Sequence, residues 1–190
     1  MDPMIVVNEE MHISKDNNQQ LLIKHAINYV KSYLISPILD LGAGDGWTTN
    51  YINTELNLSA ISVSINKIDC DNAKKLYNID MINNDMENLI DCSSDYYNTI
   101  WCRQAIEHSQ SPFKALKEMN RILKKDGTVI LIVPYPLDIL IFAESHLYCL
   151  DDKQWRNLFI KTGFNVINKH DQFMLNGYAE VMYILKKVTN

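Results

Sequence analysis

The chemistry most readily read from this chain begins in a ten-residue run, Ile38-Leu39-Asp40-Leu41-Gly42-Ala43-Gly44-Asp45-Gly46-Trp47, where an apolar stretch gives way to glycine at every second position. Glycines so spaced let a backbone turn sharply off a strand and leave no side chain between it and a ligand. Trp47-Thr48-Thr49-Asn50-Tyr51-Ile52 can begin a helix. The loop therefore reads as a strand-to-helix crossover, where open α/β sheets bind nucleotides. The dinucleotide fingerprint G-x-G-x-x-G requires glycine or alanine at position 47 for close packing, and Trp47 stands there. No Gly-Lys-Ser/Thr follows Gly46, so nothing is in place to pair with a triphosphate or hold its magnesium. On the loop alone, a tight turn in some other α/β protein stays open.

Such a loop needs a sheet to carry it. Residues 17–34 place Leu21, Leu22, His25, Ala26, Tyr29, Val30 and Tyr33 at spacings of three and four, which predicts an amphipathic helix with His25 as a core histidine. After the glycine loop and its helix, the pattern predicts a strand at 59–65, a polar helix at 69–77, a short strand at 80–82, a loop at 83–94 and a strand at 97–102. Ser111-Pro112 starts a helix with Phe113, Leu116, Met119, Ile122 and Leu123 on one stripe, closed by Lys124-Lys125-Asp126 and a C-cap Gly127. A β-branched strand follows at 128–133, then an irregular stretch at 134–148. Residues 151–162 form a helix capped by Asp152 and ended by Gly163, and 164–168 and 181–187 are closing strands. This alternation demands a largely parallel, doubly wound sheet.

With 190 residues, 47% hydrophobic and 22% charged, the chain suffices for one well-buried domain spanning 1–190. Its parts are an N-terminal helical segment at 1–35 and an insertion at 134–150 that serves as lid or acceptor site. A net charge of -5 argues against a free-standing nucleic-acid binder, and the basic run between 114 and 125 reads as a solvated helix face. No apolar run approaches the ~20 residues that span a bilayer, and no basic segment opens the chain, so a cytoplasmic protein without a membrane partner is expected. Cys70, Cys92, Cys102 and Cys149 share no C-x-x-C spacing, and His12, His25 and His170 form no metal-ligand spacing, so neither disulfide nor metal is expected.

The pattern D-x-G-x-G-x-G with its acid at Asp40 resembles the first motif of the class I S-adenosylmethionine-dependent methyltransferases. Asn84-Asp85-Met86-Glu87-Asn88-Leu89 is similar to that family's segment after strand three, where an acid hydrogen-bonds the adenine amino group. Trp101-Cys102-Arg103-Gln104-Ala105-Ile106-Glu107-His108, with Ser111-Pro112-Phe113 and Leu123-Lys124-Lys125-Asp126-Gly127, looks like the strand-four-to-five block of the small-molecule branch, methyltransferase domain 11. The similarity runs from about Leu34 to the C-terminus. A narrower one, through Arg103 to Ser109, Val133-Pro134, His146-Leu147-Tyr148, Trp155 and Gly163-Phe164, is to bacterial and phage methyltransferase-like sequences, some thought to act on sugars or surface polysaccharide.

The resemblance implies a Rossmann-like, doubly wound seven-stranded sheet, mostly parallel with one antiparallel strand near the C-terminus. It also implies S-adenosylmethionine, held by Asp40, Gly42, Ala43, Gly44, Ser64, Ile65, Asp85, Met86, Arg103 and Gln104. Ser64 departs from the family, which usually carries there the acid that grips both ribose hydroxyls. A serine makes fewer bonds, and neutral bonds are roughly half as strong as charge-assisted ones. Asn66 or Asp69 could compensate from the following turn. Methyl transfer mainly requires alignment of a nucleophile and exclusion of water. A hydroxyl acceptor also calls for a base near neutral pKa, which makes His108 and His146 the catalytic candidates. For His108 a structural hydrogen bond is the alternative. Tyr135, Phe142 and Tyr148 are candidates for the acceptor pocket.

The function so implied is methyl transfer to an O or N atom of a small molecule or sugar. One alternative is a non-catalytic methyltransferase-like binding or scaffold subunit, favoured by Ser64. Another is an RNA methyltransferase. DNA amino-methylation is disfavoured because Arg103-Gln104-Ala105-Ile106 stands where such enzymes place an acidic or Asn-Pro-Pro-Tyr/Phe motif.

Overall fold

Short apolar runs make the strands, and their alternation decides which face each residue serves. A computed structural model describes residues 13–136, 145–173 and 179–188. The strands are β1 (Ile38–Leu41), β2 (Ala60–Ser64), β3 (Ile82–Asn83), β4 (Tyr97–Arg103), β5 (Leu123–Pro134), β6 (Phe164–Phe173) and β7 (Ala179–Lys187), in the order β3-β2-β1-β4-β5-β7-β6. Among these described strands only β7 runs antiparallel, paired with β5 on one side and β6 on the other. Leu39, Leu41, Ile100, Cys102, Val129 and Leu131 face one core, and Ile38, Trp101, Ile130 and Ile132 face the other.

Among the described residues five α-helices cover those faces: α1 (Asn17–Val30), α2 (Trp47–Glu55), α3 (Lys67–Tyr77), α4 (Pro112–Ile122) and α5 (Asp152–Thr162). Helices α4 and α5 bury Leu116, Met119, Trp155 and Phe159 in the first core, while α1 and α2 bury Ile23, Ile27, Val30 and Ile52 in the second. Among the described residues no helix is long and apolar enough to cross a membrane, and none of the four cysteines is in a disulfide.

Several boundaries differ from the sequence reading. The buried stripe of α1 is Leu22, Ile23, Ala26, Ile27 and Val30, while Leu21, His25 and Tyr29 are exposed, so His25 is not a core histidine. Two overlapping stripes share Leu22, Ala26 and Val30, and burying two isoleucines outweighs burying a histidine. Helix α4 stops at Ile122, because Leu123 is already extended and paired with Tyr97 in the sheet. Gly127 is thus a strand residue whose added Cβ would lie 2.6 Å from Leu123 Cγ, not a helix cap. Helix α5 is capped by Asp151, which accepts from Gln154 N at 2.8 Å while Gln154 Oε1 accepts from Asp151 N at 3.0 Å. Strand β3 begins two residues later than predicted, α3 two residues earlier, and β6 continues five residues further.

Candidate active site

At the carboxyl end of β1 the chain turns with Gly42, Gly44 and Gly46 all at positive φ (76°, 54° and 84°). Gly42 N and Ala43 N both donate to Val63 O, at 2.9 and 3.0 Å, which ties the loop to the end of β2. A Cβ on Gly42 would lie 2.4 Å from Ala105 Cβ, so only glycine passes beneath the β4 turn. Asp40 is buried and accepts from Thr49 Oγ1 at 2.6 Å; burial pushes its carboxyl up to about 7 despite that bond. Asp45 fastens the loop outward, accepting from Trp47 N and Ser14 N.

Ser64 ends β2. Its Oγ donates to Asp69 Oδ2 at 2.9 Å and accepts from Asn66 N at 3.1 Å. Asn66 caps α3, and Asp69 stands buried in its first turn, where a helix favours negative charge. Beyond β3, Asp85 Oδ1 accepts from Glu87 N at 2.8 Å. Met86 Cε sits 3.8 Å from where a Gly42 Cβ would be. Glu87 accepts from Ser109 Oγ and Ser111 N, holding this segment to the start of α4.

At the end of β4 the Arg103 guanidinium is buried in an ion pair with Glu180, at 2.9 Å, and donates to Gln19 Oε1 at 2.8 Å. Gln104 has φ of 49°, donates its amide to Ile132 O, and reaches Glu180 through Nε2 at 3.3 Å. The next turn carries Glu107, which is 0% exposed. Neither carboxylate oxygen meets a donor at normal hydrogen-bond geometry among the described residues. Burial pushes its pKa up to about 8; the amides of Glu107 and Ala105 and the Arg103 charge offset only part of this. His108 Nδ1 lies 2.8 Å from Ser145 O, so Nδ1 carries the proton in that bond. The His108 and His146 rings stand 4.9 Å apart, edge to face.

A cavity of about 440 Å³ joins these parts. Asp40, Gly42, Ala43, Gly44, Ser64 and Ile65 line it, as do Asp85, Met86, Arg103, Gln104 and His108; Asp69 joins them, and Ile13 and Ile23 contribute from the N-terminal segment. His146 is not part of the described lining and packs on His108 instead, whereas its neighbour Leu147 does reach the cavity. Tyr135 and Tyr148 also stand outside the described lining. The Tyr135 ring packs 5.0 Å from that of Phe173, and Tyr148 Oη donates to Gln110 O at 2.9 Å. Phe142 lies outside the described residues.

The family model described as "Methyltransferase domain" matches residues 39–131, from within β1 to within β5. Over those residues the chain is similar to a methyltransferase domain. Solved structures agree at the level of fold. YcgJ of Bacillus subtilis is 18% identical, with a TM-score of 0.71 over 88% of this chain and 100% of its own. A SAM-dependent methyltransferase from Archaeoglobus fulgidus is 16% identical, with a TM-score of 0.71 over 88% and 94%. The [4+2]-cyclase SpnF is 12% identical, with a TM-score of 0.75 over 90% and 82%. No curated protein matches the chain.

S-adenosylmethionine is the cofactor that this methyltransferase family and fold imply, and the cavity fits it. Two buried carboxylates, Asp40 and Asp69, suit a cationic ligand bearing a diol, and a glycine turn without a Cβ leaves the backbone bare beside them. Sequence reasoning missed Glu180, the buried anchor of Arg103 and Gln104; its only sign is an acid opening an apolar strand. It also missed the approach of Glu107, His108 and His146, because no short spacing joins the last to the others.

Proposed function

We propose that the methyltransferase domain passes the methyl group of S-adenosylmethionine to an oxygen or nitrogen atom of a small molecule or sugar. The observation that carries this reading is the single cavity in which the glycine turn, two buried carboxylates and His108 meet. When bound, the cofactor supplies a methyl group on a sulfonium, already activated for displacement. The Gly42–Gly44 backbone accommodates its methionine end, and Asp69, oriented by the Ser64 hydroxyl, accepts from the ribose hydroxyls. Asp85 and Met86 flank the adenine. Arg103 and Gln104, fastened to Glu180, keep the end of β4 in place beside the transferred group. With Nδ1–H engaged by Ser145 O, His108 offers a lone pair at Nε2 for the proton that a hydroxyl acceptor loses.

The reading of a non-catalytic subunit rests on Ser64, and the carboxylate of Asp69 beside it in the cavity favours the catalytic reading. The acidic balance of the chain favours a small acceptor over RNA. Calorimetric titration tests cofactor binding: wild type binds S-adenosylmethionine and Gly44→Trp does not, and equal dissociation constants would refute the reading. A screen of hydroxyl- and amine-bearing sugars and metabolites with labelled methyl donor then identifies the acceptor, with salt-sensitive RNA labelling as the competing result.

A further inference from the structure

We infer that Glu107, His108 and His146 form a binding site for a divalent transition-metal cation at the edge of the cavity. One ligand atom from each of the three lies within 4.8 Å of the others. Donors sharing a cation at about 2.0–2.2 Å stand roughly 3–4 Å apart, so modest side-chain rotation closes the set. The backbone already holds the pieces together. Leu147 N and Tyr148 N donate to the carbonyl oxygen of Glu107 at 2.9 and 3.2 Å, strapping the His146 segment to the turn that carries Glu107 and His108.

Two further observations point to a cation. The Glu107 carboxylate is fully buried, its oxygens meet no well-aligned donor among the described residues beyond the weak approach of the Glu107 and Ala105 amides, and the nearby cation, Arg103, is committed to Glu180. A buried carboxylate keeps its charge only when it is paired or coordinates a metal, and otherwise holds a proton that a bound cation would displace. The His108 ring, in turn, is held by an Nδ1–H bond to a backbone carbonyl, the outer-shell arrangement that fixes a ligating histidine's tautomer and leaves Nε2 as donor. Two imidazoles and one carboxylate suit Zn2+, Mn2+, Co2+ or Fe2+, whereas Mg2+ and Ca2+ favour all-oxygen sets. Because His108 also lines the cavity, open coordination positions would face it, where an acceptor oxygen could be polarised. A cation would use the same lone pair that otherwise takes the acceptor's proton.

The site stands on three side chains and not on the identity of the acceptor, so metal binding is the readout. Chelator-stripped full-length protein is titrated calorimetrically with Zn2+ and Mn2+, and with Co2+ by visible absorption. One equivalent of Zn2+ or Co2+ binds, Co2+ develops d–d bands, and Zn2+ raises the melting temperature. Glu107→Gln and His146→Ala each weaken binding by roughly ten- to hundredfold or more, while His25→Ala, on the exposed face of α1, does not. Circular dichroism confirms that each variant is folded, and His146→Asn replaces any that is not. Absence of binding for all three ions, or unchanged affinity in the Glu107 and His146 variants, overturns the inference. Cofactor binding is measured on the same stripped protein, so failure of the metal site and failure of the methyl-transfer reading are told apart.

Discussion

Asp69 accepts the Ser64 hydroxyl at 2.9 Å inside the cavity, which makes its carboxylate the group on which ribose recognition depends in the proposed function. Hydrogen bonds to charged groups contribute about 1.5–3 kcal/mol, so Asp69→Asn is expected to weaken S-adenosylmethionine binding by roughly ten- to hundredfold in calorimetry. Ser64→Asp, which restores the family's usual residue, sets two carboxylates side by side and is expected to lower affinity, whereas Ser64→Asp combined with Asp69→Asn recovers it. Asp40 governs a pH effect. Its carboxyl ionises near 7 when folded against 3.8 as the ordinary value, so between those values the folded chain holds the extra proton. Stability therefore falls as pH rises from about 4 to about 7 and levels off above. Asp40→Asn, whose amide oxygen still accepts from Thr49, removes that slope. Its melting temperature should gain on wild type from pH 4 to 7 and keep a constant lead beyond, while a lead independent of pH would contradict the assignment. Gly42→Ala combines a φ of 76° with a 2.4 Å contact and should cost about 2 kcal/mol or more in urea denaturation.

Among the elements, α1, β4 and β7 meet through Gln19, Arg103 and Glu180. Removing one partner of a buried ion pair leaves an uncompensated charge and costs about 3–5 kcal/mol, whereas an apolar pair of similar volume is often neutral. Glu180→Gln is thus expected to lower the urea midpoint strongly, and Arg103→Met with Glu180→Leu to regain most of it; additive losses would contradict this. Nothing in the sequence announces this junction, since Arg103 lies 84 positions from Gln19 and 77 from Glu180. Local signals fared better: the glycine turn, the Pro-led start of α4 and the Gly163 end of α5 all stand as read. The misreadings are also physical. Leu123 continues the apolar stripe of α4 yet belongs to β5, where pairing with Tyr97 outweighs one more helical turn. The stripe of α1 was displaced by one residue because two adjacent faces are both apolar.

For the molecule as a whole, the strand order brings the ends of β1, β2, β3 and β4 around one cavity. That arrangement follows from the alternation of strand and helix, which makes the fold class legible in the sequence, while the cofactor is legible only through the motif resemblance. Residues 134–150, where the acceptor pocket was sought, lack periodicity, and neither Tyr135 nor Tyr148 reaches the described lining. The likeness to the [4+2]-cyclase SpnF adds that this architecture alone does not dictate a reaction. Saturating S-adenosylmethionine at about one hundred times its dissociation constant should stabilise the protein by about 2.7 kcal/mol. The Ser64–Asp69 pair carries a consequence beyond this chain. An acid carried five positions downstream, from strand end to first helical turn, leaves charge in the cavity while erasing it from the column where comparison looks. Relatives set aside as inactive for want of that strand-end acid are better judged by which carboxylates reach the cavity than by which column holds them.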